Sequence, residues 1–198
     1  NNIEEIVKAS RRAADLCQQL LAYTGKGRFV IEPIALDELI EEMVHLLRTF
    51  ISKKVFLNLN LHRNLPRIEG DPNQIRQVIM NLVMNASEAI GEESGVVTIA
   101  TGVKLCHRDY LRDTYLDDDL TDGPYVTLEV SDTGQGIDPG QVDKIFDSKK
   151  NLAKIHQQLT ALYDKNFSLH IEPLVPTGTR ISINLPAQYI DIDEMVAA

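Results

Sequence analysis

The sequence has no tryptophan, two cysteines and no long hydrophobic run. Cys17 and Cys106 lie far apart, which favours reduced thiols in a cytoplasmic protein over a disulfide framework. No apolar stretch approaches the roughly 18 residues of a membrane-spanning helix, and the first residues do not read as a signal peptide. Basic residues are outnumbered as well, because 20 Lys and Arg stand against 29 Asp and Glu. That balance argues against nucleic acid as a partner.

What is present is typical of a globular domain, with 43% hydrophobic and 25% charged residues. Apolar residues at helical spacing predict helices over residues 1–24, 36–53, 71–90 and 149–164. Shorter apolar or alternating runs predict strands over residues 29–34, 55–61, 95–105, 124–132, 168–173 and 179–186, the last two as a hairpin. Residues 107–123 are polar and acidic and are expected to form a loop. The pattern predicts an α+β fold: a two-layer α/β sandwich with a mixed sheet covered on one face by helices, preceded by one long amphipathic helix.

The helix from residue 71 carries an unusual polar stripe. Asp71 is expected to cap it and Pro72 to occupy its first position. Its polar residues recur three or four positions apart and therefore share one face: Gln74, Gln77, Asn81, Asn85 and Glu88. The stripe either faces bulk water or lines a cavity for a polar ligand. In the second case, Asn side-chain oxygens are hard ligands suited to Mg²⁺.

A second stretch, "LEVSDTGQGI", places Asp132 at the end of an apolar strand, followed by Gly134 and Gly136. Glycines allow close backbone approach to a ligand and positive φ angles. A sheltered carboxylate at a strand end can accept a hydrogen bond from an exocyclic amine such as adenine N6. Alone, this pattern is weak evidence for a ligand site, because it is more often a turn with a capping Asp.

Taken together and in this order, the two stretches resemble the ATP-binding fold shared by sensor histidine kinases, gyrase B, Hsp90 and MutL. The resemblance is nearest to the catalytic domain of bacterial sensor histidine kinases. "DPNQIRQVIMNLVMNASEAI" is similar to the N-box of that family, "VSDTGQGID" to its first glycine box, "KIFD" to the start of its F-box and "GTRISINLP" to its closing strand. Residues 1–25 resemble the second helix of the dimerisation and phosphotransfer hairpin, and residues 26–198 the ATP-binding domain.

The resemblance implies ATP and Mg²⁺ as cofactors and assigns roles to residues. Asn85 binds Mg²⁺ through its amide oxygen, Asn81 contacts phosphate or a water on the metal, and Asp132 accepts from adenine N6. Gly136 walls the adenine pocket, and Thr179 helps a water to bind adenine. The full set of expected ATP-binding residues is Asn81, Asn85, Glu88, Asp132, Gly134, Gly136, Ile137 and Thr179.

The expected reaction is transfer of the γ-phosphoryl group to a histidine outside this chain. Kinases of this type phosphorylate a His followed by an acidic residue on the first hairpin helix. None of the chain's five histidines, at positions 45, 62, 107, 156 and 170, has an acidic residue after it. We therefore expect no phospho-acceptor here and no autophosphorylation by this chain alone. The resemblance also implies a response-regulator receiver domain as partner and a homodimer formed through the N-terminal helix.

The chain departs from the family pattern after Ser148. A flexible lid and a second glycine box are expected there, but Lys149 leads directly into a helix. The lid is either missing from the sequence near Ser148/Lys149 or removed by engineering, or the two ends come from different parents. We favour omission or removal.

Two other functions were weighed. A degenerate or engineered nucleotide-binding fold would serve as a docking module without catalysis, and nucleotide binding distinguishes it from a kinase. A gyrase-like ATPase would carry a water-activating Glu at the position of Asn81, so this alternative is disfavoured. The acidic run Asp117 to Asp119 lacks the Gly and bidentate Glu of a calcium loop and is expected to be a solvated insertion.

Overall fold

The computed structural model describes residues 30–106, 123–137 and 151–188. From Ile31 onward these residues belong to a single structural unit. Along the chain the elements are β1 (Glu32–Ile34), α1 (Leu36–Phe50), β2 (Val55–Asn60), β3 (Ile68–Gly70), α2 (Pro72–Ile90), β4 (Gly95–Cys106), β5 (Gly123–Asp132), α3 (Asn151–Tyr163), β6 (Ser168–Pro173) and β7 (Thr179–Pro186). No helix within these ranges is both long and apolar enough to cross a membrane.

Five strands form a mixed sheet in the order β2-β4-β5-β7-β6. β2 runs parallel to β4, and the other neighbours are antiparallel. Alternate residues of β5 and β7 stand opposite each other and enter the core, as Leu128 and Ile183 do. The buried sides of α1, α2 and α3 join the same core, so the predicted α+β sandwich is confirmed.

A small second sheet pairs β1 with β3, with Ile34 opposite Ile68. β3 was not predicted from the sequence, because three residues around the exposed Glu69 are too short to show alternation. An isolated bridge from Ile68 to Ala187 connects this strand to the residue after β7. The small sheet therefore ties the start of the unit to its last described residues.

Helix boundaries were predicted within a few residues. α1 ends at Phe50 rather than residue 53, because Ile51 adopts an extended backbone (φ −79°, ψ 156°) and is buried. α2 begins as expected: the Asp71 carboxylate accepts from the backbone N–H groups of Asn73 at 2.9 Å and Gln74 at 3.3 Å, and Pro72 follows the cap. The predicted N-terminal helix, the domain boundary near residue 25, loop residues 107–122 and the Ser148/Lys149 junction lie outside the described residues.

Candidate functional site

Asp132 ends β5 in the middle of the sheet and is buried, with 6% of its surface exposed. Its Oδ1 accepts from the backbone N–H of Gly134 at 2.8 Å. Burial raises the pKa of Asp132, and backbone hydrogen bonds from Gly134 and Thr179 oppose that rise. A carboxylate has about four lone-pair sites. Two N–H donors therefore hold the group in place and leave it able to accept another donor.

Three glycines make the close packing around Asp132 possible. A Cβ on Gly134 would lie 2.5 Å from the carbonyl oxygen of Ala89. Gly136 has φ +74° and rests against the backbone of Gly178. Gly178 has φ +113°, and a Cβ there would collide with the carbonyl oxygen of Asp132. Two loops and the end of a helix therefore meet at this carboxylate in a way that side chains at these positions would prevent.

The end of α2 is fastened to the same loop. The backbone N–H of Gln135 donates to the carbonyl oxygen of Ala89 at 3.1 Å. Asn85 lies about one turn before Ala89 and Asn81 about two turns before it, which is roughly 6 and 12 Å along the helix axis. The structure thus brings the strand residues Asp132 and Thr179 and the loop residues Gly134 and Gly136 together beside the helix that carries the two Asn residues.

Four of the five residues in the polar stripe of α2 are neither fully exposed nor fully buried. Gln74, Gln77, Asn81 and Asn85 are half-buried, while Glu88 is exposed. Oε1 of Gln77 is buried, and no donor reaches it from the described residues. Half-burial of amides is costly unless they meet polar partners, which suits a stripe that borders a polar ligand.

Ile137, the remaining predicted residue, is partly buried against the core. Sequence reasoning missed two residues of this cluster, Gly178 and Thr133. For Gly178 the available signal was a glycine directly before Thr179 at the start of β7. Thr133, directly after Asp132, bonds to Val96 of β4, and no sequence signal reveals this contact because the two residues are 37 positions apart.

The donor set fits a Mg²⁺ ion that arrives with a nucleotide. The described residues contain no group of three or more His, Cys, Asp and Glu able to hold a metal ion alone. Mg²⁺ keeps several waters and is usually bound by one or two protein oxygens together with substrate phosphates. Asn85, half-buried one helical turn after Asn81, is the residue that would supply such an oxygen to a Mg²⁺ ion.

Four of the five histidines lie in the described ranges. His45 is exposed on α1, and His62 is exposed with its Nδ1 2.8 Å from the carbonyl oxygen of Arg63. The ring of His156 packs against Phe167 at 5.5 Å, and His170 is half-buried on β6. These are surface and packing positions.

Residues 70–189, more than half of the chain, match the family described as histidine kinase-, DNA gyrase B-, and HSP90-like ATPase. The chain belongs to this ATPase family. The ATPase domain is 31% identical over 153 residues to the sensor kinase CckA of Brucella abortus, an alignment covering 74% of the chain and 15% of CckA. It is 28% identical over 144 residues to the sensory histidine kinase/phosphatase NtrB of Salmonella typhimurium, covering 71% of the chain and 38% of NtrB. It therefore spans well under half the length of these curated relatives.

Solved structures agree with the ATPase fold. The catalytic domain of the histidine kinase ThkA matches with a TM-score of 0.58 and 24% identity, covering 81% of this chain and 98% of that one. ThkA in complex with the response regulator protein TrrA matches with a TM-score of 0.61 and 24% identity, covering 92% of this chain and 49% of that one. The predicted family and fold are confirmed, and nucleotide use follows from the ATPase family.

Proposed function

We propose that this ATPase domain binds ATP with Mg²⁺ and donates the γ-phosphoryl group to a histidine outside the chain, as the kinase module of a two-component sensor. The observation that carries the proposal is the buried Asp132 carboxylate, held by the N–H groups of Gly134 and Thr179 beside the end of α2. A buried, oriented acceptor at the mouth of a glycine loop suits the exocyclic amine of adenine. The kinship to sensor kinases supports phosphoryl transfer as the reaction.

Each predicted residue has a place in this arrangement. Asp132 accepts from adenine N6, Gly134 and Gly136 admit the base to the backbone, and Thr179 helps to hold a water against it. Ile137 contributes an apolar contact to the base. Asn81 and Asn85 face the phosphates one helical turn apart, with Glu88 at the rim. When bound, Mg²⁺ neutralises phosphate charge, and positioning by these residues supplies the remainder of the catalysis.

Calorimetric titration with a nonhydrolysable ATP analogue tests the proposal. We expect Mg²⁺-dependent binding that Asp132→Asn weakens, because an amide replaces a charged acceptor. Asn85→Ala should remove the benefit of Mg²⁺ while adenosine still binds. Ser131→Ala, next to Asp132 on the opposite side of the strand, is the matched control and should bind normally. Absence of binding at millimolar nucleotide would contradict the proposal and favour a docking module without catalysis.

Partners and location are part of the same proposal. Kinases of this kind pass the phosphoryl group to a receiver domain, and the complex of ThkA with TrrA shows that pairing for a protein of this fold. We propose a receiver domain as partner here, a homodimer formed through residues 1–25, and action in the cytoplasm, where ATP is available. Sedimentation at several protein concentrations tests the dimer, and a strict monomer would contradict it.

A further inference from the structure

Thr133 makes two different bonds to one residue of the neighbouring strand. Its backbone N–H donates to the carbonyl oxygen of Val96 at 3.1 Å. Its side-chain Oγ1 accepts from the backbone N–H of Val96 at 3.0 Å. In a hydrogen-bonded antiparallel pair, the two residues normally exchange both backbone bonds. Here the hydroxyl of Thr133 takes the place of its own carbonyl group.

This exchange of one hydrogen-bond acceptor for another occurs where the chain leaves the sheet. Asp132 is the last residue of β5 and is still paired with Val97. At Gly134 the backbone has already turned, and its N–H bonds to the Asp132 carboxylate. Because the hydroxyl accepts the hydrogen bond from the N–H of Val96, the carbonyl group of Thr133 does not have to accept it. The strand can therefore end abruptly without leaving a backbone N–H unpaired.

On the side of Gly95 there is little space beside this hydroxyl. A Cβ on Gly95 would lie 2.9 Å from Oγ1 of Thr133 and 2.8 Å from Cγ2 of Ile90. The threonine thus reaches the start of β4 in a gap that a glycine keeps open, while Gln135 is fastened to Ala89 on the other side. Both flanks of the loop that follows Asp132 are fixed, one to β4 and one to α2.

We infer that Thr133 is a positioning residue of the nucleotide site, acting through Asp132. Its hydroxyl fixes where β5 ends and so fixes the direction of the Asp132 carboxylate. This inference rests on the proposed adenine contact of Asp132. Thr133 itself is exposed and its two bonds go to Val96 of β4, so we expect its effect on binding to be indirect.

The test compares Thr133→Val, which keeps the shape and deletes the acceptor, with Thr133→Ser, which keeps the hydroxyl. We expect Thr133→Val to weaken binding of the ATP analogue about fivefold, the scale set by the net contribution of one hydrogen bond. Thr133→Ser should bind within about twofold of wild type, because it keeps that hydrogen bond. Thr133→Ala serves the same comparison should the valine variant misfold.

A matched control lies further along β4. Oγ1 of Thr101 accepts from the backbone N–H of His62 at 3.0 Å, the same kind of bond at roughly 17 Å from Val96 along the strand. Thr101→Val should lower thermal stability to a similar degree and leave nucleotide affinity unchanged. A general loss of stability is thereby separated from loss of carboxylate position.

The coupling to Asp132 is measured by a double-mutant cycle. In an Asp132→Asn background, Thr133→Val should cost no further affinity. If the folded Thr133→Val and Thr133→Ala variants bind with wild-type affinity, the inference is wrong and the proposed function stands. The same holds if the affinity lost by Thr133→Val adds to the affinity lost by Asp132→Asn. A wild-type chain that binds no nucleotide would overturn the proposed function and this inference together.

Discussion

Asp132 is buried, and burial raises the pKa of its carboxyl group. The proposed contact with adenine needs the same group in its charged form. On acidification the folded protein takes up this proton at a higher pH than the usual value of 3.8. Adenosine has no phosphate to titrate. As the pH is lowered, its affinity for the protein should therefore begin to fall while the pH is still above 3.8, as measured by NMR titration. An Asp132→Asn variant should bind weakly at every pH in the range.

Protonation of Asp132 has the opposite effect on the stability of the fold. A carboxyl group whose folded pKa is raised binds its proton more tightly in the folded state, so stability contributed by this residue increases as pH falls through that range. The loss of adenosine affinity is then not a consequence of unfolding. Urea unfolding at the same pH values checks this, and an affinity that stays constant down to pH 3.8 would contradict the assignment of Asp132.

The side chain of Tyr163 is also buried, and we assign it no part in the nucleotide site. Its hydroxyl oxygen has no hydrogen-bond partner among the described residues. Burial first and the charge of Glu69 second raise its pKa. Tyr163→Phe should therefore raise the free energy of unfolding by about 1 kcal/mol, since an unsatisfied buried group costs that order. The gain should widen above pH about 10, where only the unfolded tyrosine ionises.

Urea unfolding of both proteins at neutral and alkaline pH measures this difference. Gly70 provides the control, because a Cβ there would lie 2.8 Å from the Tyr163 hydroxyl. Gly70→Ala should be destabilising, and Tyr163→Phe in the same chain should recover part of the loss. A phenylalanine variant that is less stable than wild type at neutral pH would show that the hydroxyl has a hydrogen-bond partner and would contradict this prediction.

At the scale of elements, α2 is the part that the sequence predicts best. A capping Asp, a proline and a long apolar period all indicate the same helix, and its start is confirmed at Pro72. Its register matters for function, because it places the two Asn residues on the side proposed for the phosphates. Asp71→Ala should lower the free energy of unfolding by about 1 kcal/mol, the usual value for loss of a cap.

Chemical denaturation monitored by circular dichroism gives this value. Asp71→Asn is the matched control, since asparagine caps a helix about as well as aspartate. It should retain most of the stability. Equal losses in the two variants would show that the charge of Asp71 matters more than its hydrogen bonds to Asn73 and Gln74.

Features that depend on distant pairing were hidden from the sequence. β3 has three residues and exists because β1 lies beside it, nearly forty positions earlier in the chain. The buried chain of hydrogen bonds from Thr127 through Asn184 to Ser168 crosses three strands, and its members look like surface residues in a linear reading. The Asp132 loop was recognisable as a motif, but its contacts with Ala89 and Gly178 required the fold.

At the scale of the whole molecule, the chain carries the proposed nucleotide site, and none of its five histidines is followed by an acidic residue. We expect no acid-labile phosphate on the protein after incubation with labelled ATP and Mg²⁺. The histidines at positions 45, 62, 156 and 170 occupy surface or packing positions, and His107 also lacks a following acid. Gel assays with acid and alkali washes measure this. Label on any histidine that survives alkali and not acid would contradict the prediction.

The small sheet of β1 and β3 brings the two ends of the described unit together. β1, at the start of the unit, pairs with β3. At the other end, the backbone N–H of Gln188 donates to the carbonyl oxygen of Arg67 at 2.7 Å, and its side chain donates to Glu69 at 2.9 Å. The two ends of the described unit therefore lie beside the same short strand. Adjacent ends favour circular permutation and insertion into a host loop. Such a domain can be inserted into another protein without a change in its fold.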